Sequence, residues 1–152
     1  MLKILSIGRD TLGRLAKFAD DALPMESCAL LLGKEEYTTD TVHDFVLLKN
    51  NDQSKYSFSV HSRDLFYAYQ KASRSGLSVI GIFHSHPSLP WPSEKDKKFM
   101  ELNPIVWLIY STLNHKYSAF LYSDGIIPVQ INSIQGMRRS TSLGNKTTSL
   151  TF

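Results

Sequence analysis

The sequence predicts a mixed α/β domain in which helices cover a sheet. Short, wholly apolar runs such as "CALLLG" and "LSVIGIF" have the length and composition of buried strands. Two longer stretches, around Leu15 and around Ala68, repeat apolar residues at helical spacing instead. The two patterns alternate along the chain, which places helices against sheet strands. A length of 152 residues suits one domain with a substantial core.

Each element follows in order. Lys3–Ile7 is a short apolar stretch expected at a sheet edge. Asp10 is placed to cap a helix carrying Leu12, Leu15, Ala16, Ala19 and Leu23, stopped by Pro24. "CALLLG" is then a buried strand, "TVHDFVLLKN" the next one, and "YSFSV" a shorter one. "SRDLFYAYQKASRSG" sets Leu65, Ala68, Tyr69 and Ala72 on one helical face and closes on Gly76. "LSVIGIF" is a further buried strand, "SEKDKKFMELN" a short helix ended by Pro104, and "IVWLIY" another strand. "KYSAFLYSDGIIPVQI" reads as two strands turning at Asp124-Gly125, and Pro128 must then sit at an edge or bulge because it cannot donate to a ladder. From Asn132 onward Ser, Thr, Gly and Asn dominate. Residues 1–131 are therefore the expected domain, and 132–152 a polar tail with little structure of its own.

The composition is that of an ordinary soluble protein, 42% hydrophobic and 20% charged. The net charge of +3 is small and spread out, and its longest basic clusters are the pairs Lys97–Lys98 and Arg138–Arg139, which argues against a nucleic-acid partner. Cys28 is the only cysteine, so no internal disulfide forms, and a reducing cytoplasmic location is expected. No apolar run approaches the ~20 residues of a membrane span, and "MLKILSIGRD" is too short for a signal-peptide core. The "NKT" at Asn145 is read as a chance sequon.

The densest chemistry lies in "GIFHSHPSLPWPSEKD", residues 81–96. His84 and His86 point to the same side of an extended segment because alternate residues do. Asp96 follows at the start of a helix, across a loop stiffened by prolines. Two imidazoles and a carboxylate are a common protein donor set for a catalytic zinc ion, which keeps a further position for water. A bare His-x-His is nonetheless common, and Ser93-x-x-Asp96 is also an acidic capping box. The two readings are compatible: Ser93 caps the helix whose first turn aims Asp96. Glu26, in "LPMESCALLLG", precedes a buried strand and reads either as a solvated loop residue or as an acid with a partner.

Together, Glu26, the "HSH" of 84–86 and Ser93-x-x-Asp96 resemble the JAMM (MPN-plus) zinc metalloprotease motif, and "PMESC" and "GIFHSHP" are similar to its prokaryotic members. The resemblance spans roughly residues 1–130. It implies a cytidine-deaminase-like α/β sandwich that hydrolyses isopeptide bonds at the C-terminus of ubiquitin or ubiquitin-like modifiers. It further implies that His84, His86 and Asp96 hold Zn2+. Glu26 then activates the water and protonates the leaving amine, and Ser93 stabilises the oxyanion. Ser85 is given no chemistry. Two departures stand out. Six residues separate His86 from Ser93 where the family pattern has seven, and Ala29 stands where a glycine is frequent. The modifier's tail is expected to add a strand to an exposed sheet edge.

Rival chemistries lack their residues: there is no HExxH, CxxC, GxSxG or Walker-type loop. Cys28 reads as a small packing residue rather than a nucleophile. His43, His61 and His115 are isolated, and Trp91 is either a packing anchor or a substrate-facing wall. Besides the isopeptidase, two readings stay open. One is a zinc hydrolase that removes cysteine or a small adduct from a sulfur-carrier ubiquitin-fold protein. The other is a non-catalytic MPN-type scaffold, which would ordinarily have lost metal ligands.

Overall fold

The computed structural model describes residues 2–52 and 59–135. In chain order these form β1 (Ile4–Gly8), α1 (Arg9–Asp21), β2 (Cys28–Glu35), β3 (Thr39–Leu48), α2 (Ser62–Arg74), β4 (Ser78–His86), α3 (Glu94–Leu102), β5 (Val106–Ser111), β6 (Tyr117–Tyr122) and β7 (Ile126–Ile134). The mixed α/β class is as expected. The sheet, however, closes on itself in the order β1-β3-β2-β4-β5-β6-β7.

Closure corrects the placement of the first strand. β1 is no edge: it lies parallel to β3 on one side and to β7 on the other. Closure also narrows the expected open edge. β1 pairs with β3 only through Thr39–Thr41, so among the described residues Val42–Leu48 has a strand on one side only. Pro128 pairs with Phe120 of β6, and β7 meets β1 only from Gln130 onward, so the proline occupies an unpaired edge as its missing N–H requires. β6 and β7 turn through Ser123–Gly125, with Asp124 at φ 51° and Gly125 at φ 127°. β7 continues to Ile134, past the point where the composition turns polar. Residues 136–152 lie outside the described residues, as does most of "YSFSV"; its Ser59 and Val60 are not strand.

Both faces of the sheet are buried at β2 and β5, which is why "CALLLG" reads as an unbroken apolar run. One face gathers side chains from all seven strands, among them Leu5, Leu31, Phe45, Phe83, Leu108, Ala119 and Val129, together with Leu15 and Ala19 of α1. On the other face of β2 and β3, Cys28, Leu30, Leu32 and Val46 pack against Ala68 and Ala72 of α2. Met100 of α3 packs beside them against Trp107, Ile109 and Phe120. Three helix details differ from expectation. α1 ends at Asp21, which leaves Leu23 outside it and exposed. Gly8 occupies the N-cap of α1 and Asp10 lies in the first turn, where an acid favours the helix dipole without capping it. Tyr69 points to solvent, because two small residues, Ala68 and Ala72, bring α2 close to the sheet along a narrower stripe. Gly76, at φ 67°, ends that helix as expected.

A bulge phases the strand that carries the histidines. Leu31 pairs with Gly81 and Leu32 with Val79, so Ile80 is the extra residue. Ile80 and Phe83 therefore reach the same cluster although an odd number of residues apart, and Ile82, His84 and His86 share the α2/α3 face. A second bulge lies at Leu32/Gly33. A Cβ on Gly33 would fall 1.9 Å from the carbonyl oxygen of Thr41 and 2.7 Å from Cδ1 of Ile80. Gly33→Ala is thus expected to cost about 2–3 kcal/mol through overpacking, a fall in Tm of roughly 5–10 °C, measured by thermal unfolding. Among the described residues no helix is long and apolar enough to cross a membrane.

Candidate metal centre

His84 and His86 close β4, where they pair in register with Ile109 and Ser111 of β5. The strand thus runs through both histidines rather than ending before them. His84 is fully buried, its ring 5.6 Å from Trp107 and nearly perpendicular to it. The rings of His84 and His86 stand edge to face, 4.5 Å apart. The backbone at His86 is fixed by Thr112, whose N–H (2.9 Å) and Oγ1 hydroxyl (3.2 Å) both donate to its carbonyl.

Two acids flank this pair. Asp96 is the third residue of α3, and its Oδ2 lies 3.1 Å from His86 Nε2 and 3.7 Å from His84 Nε2. The capping box is complete: Ser93 N–H donates to Asp96 Oδ2 at 2.8 Å and Asp96 N–H donates to Ser93 Oγ at 3.1 Å. One oxygen therefore both caps the helix and faces the imidazoles. The loop from His86 to Ser93, short by one residue, still delivers Asp96 to both rings. Pro90 is buried, and Trp91 packs 5.7 Å from Phe120 while staying 57% exposed, so it anchors the loop and shows a face to solvent. Glu26, in irregular backbone just before β2, is the second acid. It is 6% exposed, and one carboxylate oxygen and a nitrogen from each histidine lie within 4.8 Å of one another. Ser93 itself lies at the exposed rim.

The two carboxyls are driven apart in proton affinity. Burial raises that of Glu26 to about 7, further raised by Asp96 and opposed by His86 and Lys95. Burial also pushes Asp96 up, but the hydrogen bond from His86, the charges of both histidines and the Ser93 N–H outweigh it and bring it down to about 2. Burial lowers His84 to about 3, so it is neutral at pH 7. For His86 burial works the same way, yet the Asp96 bond and charge, with Glu26, raise it overall. Two imidazoles and a carboxylate converging in a buried position form a nitrogen–oxygen donor set that fits a divalent metal of the zinc type.

The remaining candidates separate cleanly. Cys28 is buried, its Sγ 3.7 Å from the Leu48 carbonyl, and burial together with Glu26 pushes its thiol up to about 12, so it packs and does not react. His43 and His61 are exposed. His115 lies across the β5–β6 turn, with Nδ1 2.9 Å from the Tyr110 hydroxyl, which also donates to Asp20. Ala29 is fully buried in the inner cluster. Sequence reasoning gave no role to Ser85 or Asn50, yet both bond the backbone next to the Glu26 side chain. Their partners lie 58 and 24 residues away, and no local pattern signals that.

Comparison with known proteins shows the family. Residues 8–122 match the family described as Prok-JAB, prokaryotic homologs of the JAB domain. Over 101 residues, 66% of this chain and 69% of the relative, the sequence is 33% identical to a desampylase of Pyrococcus furiosus. A solution structure from Desulfitobacterium hafniense superposes with a TM-score of 0.78 at 28% identity, covering 92% of this chain and 99% of the other. A second, from Salinibacter ruber, gives 0.61 at 23% identity over 92% and 96%, a likeness of fold alone. The chain belongs to the family of prokaryotic homologues of the JAB domain.

Proposed function

We propose that this protein is a zinc-dependent isopeptidase that hydrolyses the bond between the C-terminus of a ubiquitin-like modifier and a lysine amine. The observation that carries the reading is the pairing of two buried imidazoles with two carboxylates of opposite proton affinity. The relative named as a desampylase supports the substrate class. His84, His86 and Asp96 hold the metal in this reading. Asp96 suits a ligand because its carboxylate is fixed on a helix end and held ionised. When bound, zinc supplies Lewis-acid polarisation of the scissile carbonyl and acidifies a water molecule.

The chain's own residues do the rest. The Glu26 carboxylate takes a proton from the attacking water and returns it to the departing lysine nitrogen, a task that favours a group titrating near neutrality. The Ser93 oxygen already accepts the Asp96 N–H, so its hydroxyl hydrogen remains to donate to the developing oxyanion. Ser93→Ala is therefore expected to lower kcat by about a hundredfold with KM little changed, as for other lost oxyanion donors, measured by steady-state hydrolysis. The stretch Val42–Leu48 of β3, which among the described residues has a strand on one side only and leads toward Asn50 and Glu26, offers an extended tail a backbone edge.

The test is cleavage of a prokaryotic ubiquitin-fold protein joined through its C-terminal carboxyl to a lysine side chain, with and without a zinc chelator. Cleavage abolished by the chelator and restored by added zinc is expected. A zinc-loaded protein that spares this bond would overturn the isopeptidase reading. If it removed only a cysteine or small adduct from a sulfur carrier, that substrate would take its place.

A further inference from the structure

We infer that Ser85 and Asn50 are positioning residues for Glu26, acting from opposite sides on one peptide group. The inference rests on the reading of Glu26 as the catalytic base. Glu26 sits in irregular backbone, two residues before β2, so no strand ladder fixes its direction. Its carbonyl oxygen and the N–H of Ser27 belong to a single planar peptide unit. Asn50 Nδ2 donates to that carbonyl at 3.0 Å. Ser85 Oγ accepts from that N–H at 2.9 Å, and the Ser85 N–H donates to the Ser27 carbonyl at 3.0 Å. Hydrogen bonds at both ends restrain this planar group and with it the Glu26 Cα, the point from which the side chain reaches the histidines.

Both anchors are themselves fixed. Ser85 is 1% exposed and lies between the two histidines, facing the opposite side of β4. One strand segment thus presents the imidazoles on one face and restrains the base with the residue between them. The Asn50 Oδ1 accepts from Asp52 N–H at 3.0 Å and Ser59 N–H at 3.2 Å, which sets the amide so that Nδ2 faces Glu26. Loss of either anchor leaves the metal ligands untouched and frees the base by one restraint. Small misplacements of a reacting group are costly in rate.

The experiment compares Ser85→Ala, Ser85→Thr, Asn50→Ala and the Ser85→Ala/Asn50→Ala double variant with wild type and Glu26→Gln. All are loaded with zinc and assayed on the lysine-linked ubiquitin-fold conjugate. Each single alanine variant is expected to lose about tenfold in kcat, with KM and zinc content unchanged. Ser85→Thr, which keeps the hydroxyl, restores the rate. The double variant falls toward the level of Glu26→Gln. Independently of activity, amide exchange at Ser27 in the metal-free protein accelerates by about tenfold in Ser85→Ala, while that of Leu30 does not. Alanine variants with wild-type kcat beside an inactive Glu26→Gln would overturn the inference alone. So would a loss that follows zinc content or that threonine fails to rescue. An active Glu26→Gln would overturn the functional reading, and the inference with it.

Discussion

Replacing Glu26 with Gln is expected to leave fold and metal content intact and to lower hydrolysis by about a thousandfold, within the range general acid–base groups supply. Gln has nearly the same shape, so the place of the side chain beside His84 and His86 stays filled. It keeps hydrogen-bonding atoms but cannot take up the proton of an attacking water or return it to an amine. The change also removes no needed charge from the core. Glu26 is 6% exposed, and burial already raises its carboxyl to about 7, so a neutral amide is as well tolerated there as the acid. Steady-state kinetics with zinc quantified in the same sample decide the matter. A fall in activity at full zinc content assigns Glu26 to proton transfer. A parallel fall in zinc would make Glu26 a ligand, a role its place within 4.8 Å of both histidine donors makes chemically open.

The convergence of His84, His86 and Asp96 was legible in the sequence because these parts are marked locally, whereas Glu26 stood out only through the family resemblance. His84 and His86 share a face through the two-residue repeat of a strand, and Ser93-x-x-Asp96 carries a helix start in its own spelling. The oxygen that completes the capping box is the oxygen that meets the imidazoles.

What stayed hidden depends on partners distant in the chain. Lys3–Ile7 reads as an edge because a short apolar strand looks the same with one neighbour or two; its pairing with β7 spans well over a hundred residues. Closure of the sheet leaves no local mark for the same reason. The bulge at Ile80 is invisible in "LSVIGIF", yet it decides which face the histidines occupy. Ser85 and Asn50 show the limit most clearly. A serine between two histidines and an asparagine after a strand are unremarkable until the fold brings both to the peptide following Glu26.

Replacing Asp96 with Ala is expected to reduce zinc affinity by more than about a hundredfold, since even residues that merely orient a ligand cost ten- to a hundredfold. The reading is complicated by the second duty of Asp96. Its Oδ2 also accepts the Ser93 N–H, so Ala removes the reciprocal half of the capping box as well, at about 1 kcal/mol. Asp96→Asn separates the two, because an amide oxygen still accepts that N–H while the charge between the imidazoles is gone. Both variants should then lose zinc, and only Ala should lose the capping contribution in the metal-free protein. Thermal unfolding reads both at once. Ligand that binds only the folded state raises Tm with concentration, so zinc should stabilise wild type and Glu26→Gln alike and leave the two Asp96 variants unmoved. A zinc-induced rise that survives in Asp96→Ala but vanishes in Glu26→Gln would exchange the roles of the two acids, and the base would then be the carboxylate on the helix.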